Sequence, residues 1–239
     1  MEKKIYNLII LDESGSMQNI KLQAITGLNE TLQTIKSAQD KYDNQSHYVT
    51  LVSFNSSKVK TIYDCCPIHE VHEICSYDYL PNACTPLYDA MGISLTKLRT
   101  EVKDEDNVLV TIITDGYENA SREYSGKAIV QLVEELRANG WIFAYIGANQ
   151  DVEKVASSMG IKNSLRFNAD VLGSKAMFKE ESKSREAYYC CISEGMMPRQ
   201  LSEREYFRKN NIENTRKDST EKKEEKKKKD GGRFNQGND

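Results

Sequence analysis

The chain has 239 residues, of which 38% are hydrophobic and 29% charged, and its formal net charge is −3. A length of this order corresponds to one large domain, or to one domain with an appended segment. No hydrophobic run reaches the roughly 18 residues that a transmembrane helix needs, and the apolar residues come in bursts that a disordered chain lacks. We therefore expect a globular domain, and neither a membrane protein nor a fibre.

Hydrophobic patterns typical of strands and of helices alternate along residues 1–190. Runs of β-forming residues predict strands at 5–11, 48–54, 58–63, 108–114, 141–146 and 165–167. Apolar residues three or four positions apart predict helices around 25–35, 87–102, 129–136, 152–159 and 174–188. This alternation predicts an α/β fold, with a Rossmann-like, doubly wound and mostly parallel six-stranded sheet covered by helices on both faces. The strands at 48–54 and 58–63 are too close for a crossover, so they predict a hairpin and one antiparallel edge strand.

Charge is distributed unevenly along the chain. Residues 206–239 contain eleven Lys or Arg and seven Asp or Glu, a net charge of +4, which leaves −7 on the rest. A segment of this composition buries too little apolar surface to offset the entropy lost on ordering. We predict a folded domain at 1–190, a junction at 191–205 and a charged, disordered tail at 206–239. Mixed charge signs and the lack of aromatic residues among the basic ones argue against nucleic-acid binding.

Cysteine usage bears on the cellular compartment. Six cysteines occur, four of them in the adjacent pairs Cys65–Cys66 and Cys190–Cys191, which is not the spacing of a disulfide framework. The apolar run at 5–11 follows a basic N-terminus but has no small-x-small cleavage site, so it does not resemble a signal peptide. We expect reduced thiols and a cytoplasmic location.

Histidines and cysteines between residues 65 and 75 form a second polar cluster, made of Cys65, Cys66, His69, His72 and Cys75. Their spacing matches no standard zinc pattern. We expect them to lie on the connection that leads to Thr85, with a structural zinc site as the alternative.

Oxygen-bearing side chains follow the two most hydrophobic strands. The strand at 5–11 runs into Asp12-Glu13-Ser14-Gly15-Ser16, and the strand at 108–114 runs into Asp115-Gly116. Ligands of doubly wound sheets bind at the carboxyl ends of the strands, where the winding direction switches. Thr85 precedes a proline at the predicted start of the helix at 87–102, which favours Thr85 as the helix N-cap.

Five residues are therefore expected to converge at one edge of the sheet: Asp12, Ser14, Ser16, Thr85 and Asp115. An all-oxygen set of this kind suits Mg²⁺, Mn²⁺ or Ca²⁺ better than zinc or copper. Two carboxylates balance a divalent charge, and five residues leave room for water or for an acidic side chain from outside. For Asp12 taken alone, the simpler interpretation is a turn that only caps the first helix.

These residues carry a family resemblance. Asp-x-Ser-x-Ser at 12–16, Thr-Pro-Leu-Tyr-Asp-Ala at 85–90 and Thr-Asp-Gly at 114–116 together resemble the metal-ion-dependent adhesion site (MIDAS) of von Willebrand factor type A (VWFA) domains. The resemblance covers about residues 3–190. Gly-Ala-Asn-Gln-Asp at 147–151 is similar to the small stand-alone bacterial and phage members, whereas Cys84 stands where relatives often have Gly or Ser.

The resemblance implies a function and a division of roles. Ser14, Ser16 and Thr85 would contact the metal directly, and Asp12 and Asp115 directly or through water. A Glu or Asp of a protein partner would complete the coordination. We therefore expect a non-enzymatic, metal-dependent protein-interaction domain, monomeric and with Mg²⁺ as the expected ion.

Two other functions are weighed against this one. The first is a metal-dependent phosphohydrolase that uses Asp12, although haloacid-dehalogenase-like phosphatases need a second carboxylate where this chain has Ser14. The second is a structural scaffold whose site no longer functions. A further hypothesis is that one or two of Tyr77, Tyr79 and Tyr88 border the ligand face.

Overall fold

Strands and helices alternate along the chain. The computed structural model describes residues 2–148, 151–202 and 206–207. The strands are β1 (Lys3–Asp12), β2 (Gln45–Asn55), β3 (Lys58–Pro67), β4 (Asn107–Thr114), β5 (Ile142–Ala148) and β6 (Asn163–Phe167). The helices are α1 (Lys21–Lys41), α2 (Leu87–Arg99), α3 (Gly126–Ala138), α4 (Val152–Ser158), α5 (Val171–Ser193) and α6 (Pro198–Ser202).

The strands form one sheet in the order β3-β2-β1-β4-β5-β6. Every neighbouring pair is parallel except β2 and β3, which are antiparallel and put β3 at an edge. The hairpin between them turns at Ser56 and Ser57, where the Asn55 side chain accepts hydrogen bonds from the backbone N–H groups of Ser57 and Lys58. The predicted doubly wound sheet with one antiparallel edge strand is therefore confirmed.

Helices cover both faces of the sheet, which is why β1 and β4 are mostly apolar on both faces. On one face, Tyr6, Leu8 and Ile10 of β1 belong to a core that includes the buried sides of α2 and α3. On the opposite face, Asn7 of β1 meets α5, and α1 packs beside α5.

A buried polar network fixes α5 on the sheet. The Arg185 guanidinium is fully buried and lies 2.6 Å from the Glu181 carboxylate one turn earlier in α5. It also donates to Asn7 Oδ1 at 2.9 Å and to Thr111 Oγ1 at 2.8 Å. Because Asn7 lies on β1 and Thr111 on β4, the network joins α5 to the two central strands.

The described chain continues past the predicted helix at 174–188. Helix α5 ends at Ser193, and the Tyr206 backbone N–H donates to Asn163 of β6, while its hydroxyl donates to Glu181. The tail predicted at 206–239 lies outside the described residues, except for Tyr206 and Phe207. Among the helices that are described, none is long and apolar enough to cross a membrane.

Candidate metal site

The candidate site lies where the winding of the sheet reverses. Strands β1 and β4 are central neighbours, and their register pairs Leu11 with Ile113. Asp12 is the last residue of β1, and Asp115 directly follows β4. The two carboxylates therefore leave adjacent parallel strands at the same edge of the sheet, where ligands of such sheets bind.

The Asp12 carboxylate is buried and hydrogen-bonded through both oxygens. Oδ1 accepts the Ser14 backbone N–H at 2.7 Å, and Oδ2 accepts the Thr114 hydroxyl at 2.6 Å. The bond from the Ser14 N–H forms the local turn that a capping role for Asp12 alone would predict. In the structure it also fixes the direction of the Ser14 loop. Desolvation raises the pKa of Asp12 to about 6, against the lowering effect of the hydrogen bonds from Thr114 and Ser14, and the nearby Asp115 charge raises it further.

Hydroxyl groups connect the loop after β1 to the loop after β4. Ser14 Oγ lies 3.2 Å from Ser16 Oγ, and Ser16 Oγ donates to Asp115 Oδ1 at 2.5 Å. Burial raises the pKa of Asp115, partly offset by the bond from Ser16. Ser14 is buried and Ser16 is exposed, so this row of oxygens runs from the interior to solvent.

The Thr85 loop docks onto the same place. Gly15 N–H donates to Ala83 O at 3.0 Å, and Ala83 takes the left-handed backbone conformation, with φ of 62°. The backbone of Thr85 exchanges hydrogen bonds with Asn119, at 2.8 and 3.1 Å.

Gly116 shows how close the hydroxyls lie. A Cβ built on Gly116 would be 3.4 Å from Thr85 Oγ1 and 3.9 Å from Ser16 Oγ. All five residues predicted for the site are therefore brought together at this edge of the sheet.

One local prediction about Thr85 is wrong. Helix α2 begins at Leu87 with Pro86 in the N-cap position, so Thr85 is not the N-cap. Side chains from the loop after β4 accept the free N–H groups instead: Glu118 Oε2 binds Tyr88 N at 2.9 Å, and Ser121 Oγ binds Asp89 N at 3.0 Å. The acceptors are 30 and 32 residues away in sequence, and no local pattern predicts them.

Sequence reasoning also missed the role of Glu13. Its side chain is fully buried, where Oε1 accepts the Leu80 backbone N–H and Oε2 accepts the Ser53 hydroxyl, both at 2.7 Å. Its backbone oxygen accepts Asn82 N–H at 2.9 Å. Glu13 thus ties strand β2 and the 80–82 connection to the Asp12 loop, and the only signal in the sequence was its place between Asp12 and Ser14.

The three tyrosines considered for the ligand face differ from one another. Tyr79 is buried and donates to the Asp12 backbone oxygen at 2.6 Å, and its burial raises its pKa. Tyr88 is half-buried against Gly126 of α3. Tyr77 is 85% exposed, so of the three it presents by far the most surface to solvent.

The cluster between residues 65 and 75 is not assembled into a metal site. In the parts of the chain that the structure describes, no three His, Cys, Asp or Glu side chains lie close enough to hold a metal ion. All six cysteines are described, and all are free thiols. Of the Gly-Ala-Asn-Gln-Asp sequence, Asn149 and Gln150 lie outside the described residues.

Comparison by sequence identifies no relative. No protein-family model matches the chain, and no curated protein matches it.

Comparison by structure finds VWFA domains. A von Willebrand factor type A protein from Catenulispora acidiphila superposes with a TM-score of 0.55 at 12% identity, over 77% of this chain and 43% of the other. The PilB minor pilin from Streptococcus sanguinis superposes with a TM-score of 0.53 at 12% identity, over 78% of this chain and 62% of the pilin. The von Willebrand factor domain of the type V pili tip protein Mfa5 from Porphyromonas gingivalis superposes with a TM-score of 0.53 at 9% identity, over 78% of this chain and 96% of that domain.

These likenesses concern the fold. The chain spans less than two thirds of the first two proteins and nearly the whole of the isolated Mfa5 domain. The six-stranded sheet of this chain, with one antiparallel strand pair and helices on both faces, is consistent with that likeness. The chain has a von Willebrand factor type A-like α/β fold.

Proposed function

We propose that the chain is a divalent-metal-dependent protein-interaction domain of the VWFA family, with a MIDAS that binds an acidic side chain of a partner. The observation that carries the proposal is the convergence of five oxygen-bearing side chains at the ends of β1 and β4: Asp12, Ser14, Ser16, Thr85 and Asp115. In this proposal Asp12 and Asp115 supply negative charge, and the three hydroxyls supply neutral oxygen ligands.

The residues present fit a hard divalent cation. The charge of Asp115 raises the pKa of the buried Asp12 carboxylate, burial raises the pKa of Asp115, and a divalent cation would neutralise both. The oxygen-only donors favour Mg²⁺, with Mn²⁺ or Ca²⁺ as substitutes. When bound, the ion would supply a Lewis-acidic position for a carboxylate, while these side chains hold and orient it.

The open side of the site favours a partner. Gly15 and Ser16 are exposed, whereas Asp12 and Ser14 are buried. An ion held between them is enclosed by protein on the sheet side and accessible from solvent on the other. With only two carboxylates, the site has no surplus negative charge to repel a third from a partner.

The proposal assigns no catalytic role to the chain. A phosphohydrolase of the haloacid-dehalogenase type built on Asp12 would need a second carboxylate two positions on, and that residue is Ser14, whose hydroxyl lies against Ser16. A monomeric state, a cytoplasmic location and a place among small bacterial or phage VWFA proteins belong to the same proposal.

The direct test is metal-dependent stabilisation of the full chain. Binding at a hundred times the dissociation constant adds about 2.7 kcal/mol, which for a domain of this size raises Tm by roughly 5–10 °C. We expect this rise with Mg²⁺ or Mn²⁺ after EDTA treatment, and its loss in Asp12→Ala and in Ser16→Ala. Ser16 is exposed, so its variant should fold normally, and Asp43→Ala serves as an exposed control.

Two results would contradict the proposal. The first is a Tm indifferent to both metals and to EDTA, and the second is an undiminished shift in both site variants. Turnover of a generic phosphoester such as p-nitrophenyl phosphate, lost in Asp12→Ala, would favour the hydrolase instead.

A further inference from the structure

We infer that the partner segment carries bulky apolar side chains on both sides of its acidic residue. This inference rests on the proposed function and identifies the kind of segment that the site accepts. Its basis is where exposed apolar side chains lie. Among the described residues, the large hydrophobic side chains with substantial exposure are Leu22, Tyr77, Leu80, Ile93, Tyr117, Val171, Leu172 and Met197.

These side chains are concentrated at the ligand edge of the sheet. Ile93 lies within α2 and Met197 follows α5, but the other six lie on connections at the carboxyl ends of the parallel strands or in the helical turn that follows. Scattered exposed hydrophobic residues are ordinary, whereas a concentration beside a polar site is typical of a binding surface. We call Tyr77, Leu80 and Tyr117 the apolar rim, because they lie on the two connections that are bonded to Glu13 and to Thr85.

One side of the rim is fixed beside the Ser14–Ser16 loop. The Lys21 ammonium donates to Ser76 O at 3.0 Å, and Leu80 N–H donates to the Glu13 carboxylate at 2.7 Å. The connection that carries Tyr77 and Leu80 therefore passes directly by the first turn of α1. Tyr77 is 85% exposed and Leu80 48%.

The other side of the rim follows β4. Tyr117 is 54% exposed and comes directly after Gly116, the residue that faces Thr85 Oγ1 and Ser16 Oγ. The Asn119–Thr85 hydrogen bonds hold this connection against the Thr85 loop. The connection that carries Tyr117 is thus bonded to the Thr85 loop, and the connection that carries Tyr77 and Leu80 is bonded to Glu13 and Lys21 beside the Ser14–Ser16 loop.

The two chemistries together specify the occupant. A carboxylate would complete the coordination of the metal. A small acid or a uniformly acidic segment, however, would leave the side chains of the apolar rim exposed to solvent. Tyrosines held on fixed connections lose little entropy on binding and are enriched among the residues that dominate interface energy. An apolar–acidic–apolar segment of a protein partner meets both requirements.

The chain's own C-terminal sequence does not have this pattern. Between residues 208 and 239 the large apolar residues are Ile212 and Phe234, and no Asp or Glu there has a bulky apolar neighbour on both sides. The occupant we propose is therefore a separate protein.

Three synthetic peptides test the inference with the full chain. Fluorescein-labelled heptapeptides would carry the central sequences Leu-Glu-Phe, Ser-Glu-Ser or Leu-Gln-Phe, and fluorescence anisotropy would measure their binding in Mg²⁺ and in EDTA. We expect the Leu-Glu-Phe peptide to bind at least about tenfold more tightly than Ser-Glu-Ser, a factor typical of buried interface anchors. Binding should be lost with Leu-Gln-Phe and in EDTA.

Matched variants assign the preference to the rim. The double variant Tyr77→Ser/Tyr117→Ser should bind both Glu peptides equally weakly and keep the Tm rise with Mg²⁺, because neither residue is proposed to hold the metal. Met197→Ser, which changes a side chain that is 57% exposed outside this edge, should behave as the unmodified chain.

The possible failures are distinguishable. Equal binding of the two Glu peptides in Mg²⁺ would overturn the inference and leave the proposed function standing. Equal binding of Leu-Glu-Phe and Leu-Gln-Phe would show that the rim acts without the metal, which also overturns it. Mg²⁺-dependent self-association that Tyr77→Ser abolishes would assign the surface to a second copy of this chain. Absence of both peptide binding and a metal-induced Tm shift would refute the proposed function itself.

Discussion

Glu13 offers the sharpest test of how the site is held together. The change is Glu13→Ala, compared with Glu13→Gln. Alanine removes the acceptor for two donors, the Ser53 hydroxyl and the Leu80 backbone N–H. Glutamine retains both bonds, since its oxygen can accept from Leu80 and its amide can donate to Ser53, whose hydroxyl is free to turn from donor to acceptor.

The magnitude follows from the burial of the two donors. A buried donor left unsatisfied costs about 1–3 kcal/mol, and the larger cost falls on Ser53, which is fully buried, because the Leu80 N–H is only partly buried. Glu13→Ala should therefore destabilise the metal-free chain by about 3 kcal/mol, or roughly 10 °C in Tm. The free energy of unfolding of the Glu13→Gln chain should stay within about 1 kcal/mol of that of the unmodified chain, because this variant loses a buried charge but no hydrogen bond.

The metal titration separates positioning from charge. Glu13 anchors the connection that leads to Thr85, so Glu13→Ala should weaken Mg²⁺ binding at least about tenfold, a loss of 1.4 kcal/mol. Glu13→Gln should weaken it less. Thermal melts in EDTA and isothermal titration with Mg²⁺ would measure the two effects, with exposed Glu30→Gln as control. A Glu13→Ala chain that melts within 2 °C of the unmodified one, or equal affinity losses for both variants, would refute this reasoning.

Three further expectations follow from the same contacts. Because the pKa of Asp12 in the folded chain is raised to about 6, protonation stabilises the metal-free fold below pH 4, and this stability is lost as the pH rises through 6. Urea unfolding in EDTA should therefore show that the unmodified chain loses about 2.5 kcal/mol relative to Asp12→Asn between pH 4 and pH 7. Gly116→Ala would place a methyl group 3.4 Å from Thr85 Oγ1, so calorimetry should show weaker Mg²⁺ binding with an unchanged metal-free Tm. Arg185→Met leaves the buried Glu181 carboxylate without its charged partner, so urea unfolding should show a free energy of unfolding about 3–5 kcal/mol lower. A double variant that also carries Glu181→Met should recover much of that free energy.

Periodicity predicted the fold because the sheet is covered on both faces. Strands β1 and β4 are mostly apolar, and the short spacing between β2 and β3 leaves room only for a hairpin. Helix α5 shows the limit of such patterns. Its buried side includes Glu181 and Arg185, which an apolar stripe does not contain, and the helix extends five residues beyond the predicted C-terminal end.

The donors of the candidate site were predictable for a topological reason. Carboxyl ends of neighbouring parallel strands meet at one edge, so residues that follow β1 and β4 must lie near each other. Thr85 is different, since no strand delivers it there. Its place depends on long-range contacts, such as Gly15 to Ala83 and Thr85 to Asn119, which join segments with no common pattern.

The same contrast explains why Glu13 was overlooked and why it matters. A sequence motif identifies residues by the chemistry of their side chains at a ligand, and Glu13 points away from that role. Its carboxylate accepts hydrogen bonds from the Ser53 hydroxyl and the Leu80 backbone N–H, in the interior. Without it, the Asp12 loop and the connection to Thr85 would be joined through the Tyr79 hydroxyl, which donates to Asp12 O, and through backbone bonds at Gly15 and Asn82. The hydroxyl of Thr85 can complete the proposed oxygen site only if that connection is fixed, so the position of one proposed ligand depends on a carboxylate outside the proposed donor set.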